Sequence, residues 1–103
     1  MPAVYLSSVA DDVEIPDQGT LSKKLVDDRV RLVLFAFDRG QELTEHSTPR
    51  PVIIQIERGH LQISVEGDTF EARPGSWLSL EPSQTHSVLA IEPSVMLLTL
   101  LPT

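Results

Sequence analysis

The sequence has no cysteine and few basic or aromatic residues. Its 103 residues include one Trp, one Tyr and three Phe. Without cysteine, disulfides, thiolate metal ligands and thiol nucleophiles are excluded. Lys and Arg number 8 against 15 Asp and Glu, so the formal net charge is −7. A surface this acidic disfavours the phosphates of nucleic acid and of anionic membranes, and we expect neither as a partner.

Long apolar runs are also missing. The longest run, residues 32–37, has six residues, against the ~20 that a membrane-spanning helix needs. The first ten residues lack the basic start and the long apolar stretch of a signal peptide. We therefore expect a cytoplasmic chain without a membrane segment.

The apolar residues that are present mostly alternate with polar ones. This pattern, broken by Gly, Pro and Asp, is typical of short β-strands joined by turns. The predicted strands are residues 20–26, 30–37, 51–57, 60–65, 69–72, 76–80, 86–91 and 94–101. Residues 41–50 are interpreted as a polar connection. Many short strands with almost no helix predict an all-β sandwich or barrel, and the length fits one domain, residues 19–103, after a weakly patterned segment, residues 1–18.

Two of the predicted strands are apolar on both faces. Residues 30–37 and 94–101 carry large side chains at odd and even positions alike. A strand at the surface of a barrel has one face towards the interior and one towards water. Something must cover the second apolar face, and a second subunit is the simple candidate. We therefore predict a homodimer.

Three histidines, His46, His60 and His86, are the titratable residues with catalytic or metal-binding potential. No glycine-rich phosphate loop, nucleophile elbow or His-Glu-x-x-His pattern occurs in the chain. His60 directly follows Gly59, and it shares its parity with Gln62 and Ser64, opposite an apolar face. We interpret His60 as a surface or rim residue, while the other two are candidates for a site.

The spacing of glycines and histidines resembles that of the cupin family over roughly residues 25–101. Five residues separate Gly40 from His46, and Gly59 closes a first motif. Gly75 opens a second motif, in which His86 holds the histidine position. The chain departs from the full pattern where a second histidine and a glutamate are expected, since these positions hold Thr48 and Val52. In the second motif, Glu81-Pro82-Ser83 replaces Pro-x-Gly, and Ala90 replaces an asparagine.

The resemblance implies an all-β, single-domain cupin β-barrel of the jelly-roll type. Complete cupins bind Fe, Mn, Zn or Ni with three histidines and one glutamate. Here the resemblance leaves His46 and His86 as the candidate metal ligands, so binding of one divalent metal is expected to be weak. We expect Thr48, Val52 and Ile54 to line the pocket, on the assumption of regular strand pairing. Arg50 is the candidate anchor for an anionic substrate.

The cupin fold alone does not determine the reaction. The leading hypothesis is a small-molecule-binding cupin with a labile divalent metal at the two histidines. A metal-dependent enzyme of the dioxygenase or isomerase class, acting on a small polar substrate, is an alternative. A metal-free sensor or scaffold is a third. The missing glutamate and middle histidine favour the binding hypotheses, and the histidine pair leaves the enzyme open.

Overall fold

Nine β-strands make up the fold in the computed structural model, which describes residues 3–11 and 13–102. No α-helix occurs among these residues, and none of their segments forms a helix that is long and apolar enough to cross a membrane. The strands are β1 (Thr20–Asp27), β2 (Arg31–Phe37), β3 (Glu42–His46), β4 (Val52–Arg58), β5 (Leu61–Val65), β6 (Asp68–Ala72), β7 (Trp77–Leu80), β8 (His86–Ala90) and β9 (Ser94–Leu100).

The strands form two antiparallel sheets that pack face to face. One sheet has five strands in the order β1-β2-β9-β4-β7, and the other has four in the order β3-β8-β5-β6. Alternate side chains of β4, β5 and β8 are buried, as expected for strands with one face towards a core. The all-β prediction is confirmed, and the two sheets do not close into a complete barrel.

The core lies between the sheets and is almost entirely apolar. Its side chains come from both inner faces, with Phe37, Ile54 and Met96 on one sheet facing Leu61 and Ile63 on the other, each of them 1% exposed or less. Burial of side chains of this size contributes about 1.5–3 kcal/mol each relative to exposure. The apolar core between the two sheets therefore stabilises the fold.

A second apolar cluster covers the outer face of the five-stranded sheet. Leu34 of β2 and Leu97 of β9 are buried there, beneath side chains of the N-terminal segment that include Val9, Val13 and Ile15. The strands that are apolar on both faces are thus covered by the same chain. These apolar faces, from which the homodimer was predicted, are therefore covered without a second subunit, and the dimer itself stays a prediction.

Turn chemistry accounts for the ends of several strands. At the β5–β6 hairpin, Glu66 and Gly67 both have positive φ (48° and 92°), which is the two-residue turn that suits the twist of paired strands. The β4–β5 turn depends on Gly59, whose φ is 88°. A Cβ atom at Gly59 would collide with Ser94 and with the carbonyl of Pro93. This close approach holds β9 against the start of β5.

The strand β3 was missed by the sequence analysis, which interpreted residues 41–50 as a polar connection. Only Leu43 of this strand packs against the core, and the other four residues are exposed. The hydrophobic alternation on which strand prediction rests is therefore absent. Each of the eight predicted strand segments overlaps one of the other eight strands.

Candidate functional site

His46 and His86 face each other across the β3–β8 pair. They are direct partners in the antiparallel register, and their ring centroids lie 4.2 Å apart with an angle of 56° between the ring planes. His86 is 2% exposed, whereas His46 is exposed. The pair therefore lies at one end of the four-stranded sheet, where β3 ends and β8 begins. We call this end the mouth.

A β-bulge in β3 gives His46 its inward direction. Leu43 pairs with Val88, and His46 pairs with His86, so Thr44 and Glu45 together stand opposite the single residue Ser87. An extra residue in one strand re-aims the side chains that follow it. Because of the bulge, both Leu43 and His46 lie opposite inward-facing residues of β8, although an odd number of positions separates them.

Main-chain carbonyls orient both imidazoles in the same way. Nδ1 of His46 lies 3.1 Å from the carbonyl oxygen of Thr44, and Nδ1 of His86 lies 3.1 Å from that of Gln84. A carbonyl oxygen only accepts hydrogen bonds, so each Nδ1 carries a proton and donates it. In the neutral form of each ring, the lone pair then lies on Nε2. This second partner is the usual means by which proteins orient histidines that bind metals.

The Nε2 atom of His86 is left for a ligand or for water. Among the described residues, no hydrogen bond to this atom occurs, yet no fully buried side-chain nitrogen or oxygen lacks a partner. The atom must therefore keep some contact with solvent at the mouth. Burial lowers the pKa of His86 below 6.5, the Gln84 carbonyl opposes that shift, and the nearby His46 adds to it. His86 is consequently neutral at neutral pH, which is the form that binds a metal.

Thr48 and Arg50 lie in the β3–β4 connection and have structural partners. The carbonyl of Thr48 accepts a hydrogen bond from the main-chain nitrogen of Ser83 (2.7 Å), and its hydroxyl accepts one from that of Arg50 (3.3 Å). The Arg50 guanidinium donates to the carbonyls of Leu101 (2.8 Å) and Arg29 (2.6 Å). These bonds tie the loop to the end of β9, and they occupy the group that was expected to anchor a substrate. The anchor role of Arg50 stays a prediction.

Val52 and Ile54 belong to the opposite sheet. Both face inward from β4, are 1% exposed and lie within the main core cluster. The assumption of regular pairing holds for β4 at these positions, since residues 52, 54 and 56 are all buried. Neither side chain lines any of the four surface clefts described in the structure. Their role as pocket-lining residues therefore stays a prediction.

His60 lies away from the mouth and has its own partner. Its Nε2 is 2.6 Å from Oε1 of Glu71 on β6. In the β5–β8 register Val65 stands opposite His86, whereas Leu61, next to His60, stands opposite Ala90. One strand length, roughly 13 Å over four residues, therefore separates His60 from the histidine pair. The geometry agrees with the interpretation of His60 as a residue outside the candidate site.

Two residues that the sequence analysis did not select support the site. Thr44 and Gln84 each lie two residues before a histidine and offer it a carbonyl. Their contribution comes from the main chain, so side-chain identity gives no signal for it. Within residues 3–11 and 13–102, no third His, Asp or Glu joins the pair to form a larger metal-binding group. The site offers two nitrogen ligands.

Solved structures show the class of this fold. The chain is similar to a conserved protein of unknown function from Streptococcus pyogenes, with 24% identity over 100% of this chain and 91% of that one and a TM-score of 0.87. It is also similar to a cupin superfamily protein from Desulfitobacterium hafniense, with 22% identity over 100% and 95% of the two chains and a TM-score of 0.88. An RmlC-like cupin protein from Desulfovibrio desulfuricans is 25% identical over 99% and 97% of the two chains, with a TM-score of 0.82.

These likenesses establish a cupin-type fold. The sequence is also matched by a family model, that of the AraC-like ligand binding domain, over residues 31–96. This match covers more than half of the chain, and the protein belongs to that family. No curated protein sequence matches the chain. The cupin resemblance seen in the motifs is thus confirmed, and the protein is a ligand-binding domain of cupin type.

Proposed function

We propose that the protein binds a small molecule at the mouth, where His46 and His86 hold a labile divalent metal. The observation that carries this proposal is the presentation of two Nε2 lone pairs from rings whose centroids are 4.2 Å apart. Both rings are held by carbonyls at Nδ1, which fixes the tautomer that a metal requires. Two rings this close can contribute their Nε2 atoms to one metal ion.

The donor set suits a metal but does not complete its coordination. Imidazole nitrogens bind Zn²⁺, Ni²⁺, Mn²⁺ or Fe²⁺, and Zn–N distances are about 2.0–2.1 Å. Four or six ligands are usual, so two or more positions fall to water or to the bound molecule. A bound metal would supply Lewis acidity to that molecule. The protein itself orients the two rings through main-chain carbonyls and buries His86 beside the apolar core.

Two nitrogen ligands support binding more strongly than catalysis. The positions that would complete a cupin metal site hold Thr48 and Val52, and Val52 is buried among apolar side chains. A site that leaves most of its coordination to exchangeable ligands holds its metal weakly. The dioxygenase or isomerase alternative needs a firmly held metal, and it is therefore the less supported function.

Titration with Zn²⁺ tests the proposal on protein purified without a histidine tag. We expect wild type to bind one Zn²⁺ weakly at pH 7.5, and the affinity to fall as the pH drops through ~6.5, where imidazoles take up protons. The variants His46→Ala and His86→Ala should each lose at least tenfold in affinity. His60→Ala serves as the matched control, because it removes an imidazole from the other end of the sheet.

The outcomes separate the candidate functions. Zn²⁺ affinity that is the same in all three variants as in wild type would place the metal elsewhere. Absence of binding in wild type would remove the metal from the proposal and leave a metal-free binding module. Circular dichroism of each variant shows whether a loss of affinity comes from a loss of fold.

A further inference from the structure

One side of the sandwich is open, between β6 and β7. Each of these strands is the outermost of its sheet, so neither has a neighbour on that side among the described strands. Two adjoining clefts of about 180 and 280 Å³ occupy this side and share Phe70 and Leu78 as lining residues. We call the two clefts together the edge groove. Its lining contains neither His46 nor His86, although one end of it, at Val65 and Gln84, adjoins His86.

The middle of the edge groove is apolar. Phe70 pairs with the buried Ile63 and therefore faces the space between the sheets, yet it is 43% exposed because β6 is the last of the described strands on that side. Leu78 faces the same space from β7, where it pairs with the buried Ile54. Trp77 lies at one end of the groove and is 61% exposed, but it pairs with the exposed Gln55, so its ring belongs to the outer face of β7. A large aromatic surface is thus left in water, and it gains free energy when an apolar body covers it.

The charges along the edge groove are all negative. Its described lining residues include Glu66, Asp68 and Glu71, and they include no lysine or arginine. Glu66 accepts a hydrogen bond from the side chain of Gln84 (2.7 Å), and Glu71 is paired with His60 (2.6 Å). Within the described part of the chain, no hydrogen bond or ion pair engages the Asp68 carboxylate. It is the free charge of the groove.

Asp68 is also placed beside the apolar surface. In the β5–β6 register Asp68 and Phe70 stand opposite Val65 and Ile63, so they share one face of β6 and lie two residues apart, about 7 Å. A carboxylate next to an exposed aromatic ring attracts a cation that carries hydrocarbon, through both the charge and the ring face. An anionic ligand would be repelled at the same position.

We propose that the edge groove binds a small primary amine with an apolar body. The ammonium lies beside Asp68, and the hydrocarbon covers Phe70 and Leu78 and extends towards Trp77. The four residues of β7 span about 10 Å, which suits an unbranched body of roughly six to eight carbons. This proposal does not rest on the histidine pair or on any metal.

Hexylamine and hexanoate test the proposal as a matched pair, because they have similar bodies and opposite charges. Trp77 is the one tryptophan of the chain and borders one end of the groove, so its fluorescence reports on binding at that end. We expect hexylamine to shift the emission to shorter wavelength in a saturable way, and hexanoate to bind at least fivefold more weakly. The difference should shrink at high salt, which screens exposed charges. Amide shifts of Phe70 and Leu78 in NMR spectra give a second, independent readout.

Two isosteric variants isolate the carboxylate. Asp68→Asn should weaken hexylamine binding about fivefold, as expected for a partly exposed ion pair. Asp28→Asn is the control, since it removes the same charge from the exposed β1–β2 turn at the far edge of the five-stranded sheet. Equal hexylamine affinities of the two variants, hexanoate binding as tight as hexylamine binding, or amide shifts absent at Phe70 and Leu78 would each overturn the proposal. His46→Ala should leave the hexylamine affinity unchanged.

Discussion

The two histidines of the mouth differ in exposure although they are direct partners. His46 belongs to an edge strand and is exposed on one side, whereas β8 lies between β3 and β5, and its first residue, His86, is covered from both sides. Burial stabilises the neutral form of a histidine, and the pKa of His86 is accordingly lowered. A group of this kind links the stability of the fold to pH.

The free energy of unfolding should depend on pH through His86. Well above pH 6.5 His86 is neutral in both the folded and the unfolded state, and it adds no pH dependence there. As the pH falls through about 6.5, His86 takes up a proton in the unfolded chain but stays neutral in the folded chain, because its pKa is lowered there. The free energy of unfolding should therefore decrease. Urea unfolding of wild type and His86→Gln at pH 7.5 and pH 5.5 measures it. The variant should lose less stability between these two pH values than wild type does, and an equal loss would contradict the argument.

The sequence selects His46 and His86, which the structure brings together, but it does not indicate what orients them. His46 and His86 occupy recognisable positions between spaced glycines, and that spacing was sufficient to select them. The carbonyls of Thr44 and Gln84 act through the main chain, and the inward direction of His46 depends on a bulge. A pattern based on strict alternation cannot predict a bulge, because it assumes one residue opposite another throughout.

The N-terminal segment is an element that sequence periodicity did not describe. It forms no regular strand or helix in the described residues, yet Val9, Val13 and Ile15 cover the outer face of β2 and β9. The Arg58 side chain donates a hydrogen bond to the carbonyl of Val13 (2.9 Å), which fixes the segment to the end of β4. Irregular segments of this kind gain their order from tertiary contacts, which no local pattern contains.

A matched pair of substitutions tests how much this cover contributes. Val13→Asp places a charge against the apolar face of the five-stranded sheet and should lower the free energy of unfolding by about 1–3 kcal/mol. Val4→Asp makes the same chemical change at a residue that is 68% exposed, and its effect should stay within about 0.5 kcal/mol. Urea unfolding measures both. If the two variants proved equally stable, the segment would not cover the sheet in solution.

The oligomeric state of the protein depends on what covers the apolar outer face of the five-stranded sheet. The sequence predicted a homodimer from the two strands that are apolar on both faces, and the structure covers those faces with the same chain. Strand positions were predictable because burial on one face produces alternation. The nature of the cover was not, because an apolar face attracts a segment of its own chain and a second subunit by the same physics.

Sedimentation equilibrium at micromolar concentration tests both covers. For the full chain, a mass of twice 11.4 kDa would support the homodimer, and the monomer mass would contradict it. Removal of residues 1–15 uncovers Leu34 and Leu97, so the shortened chain should associate more strongly than the full chain. Equal association of both chains would show that the uncovered face does not self-associate.

The position of β9 has a consequence for the order in which the molecule is made. This strand is the last of the nine along the chain, yet it is the central strand of the five-stranded sheet, between β2 and β4. During synthesis, the β1–β2 hairpin and the β4–β7 pair leave the ribosome before the strand that joins them. Their unpaired edges stay open until then, and open edges are sites of aggregation. The five-stranded sheet is therefore completed last at its central strand, β9, after every other strand has been synthesised.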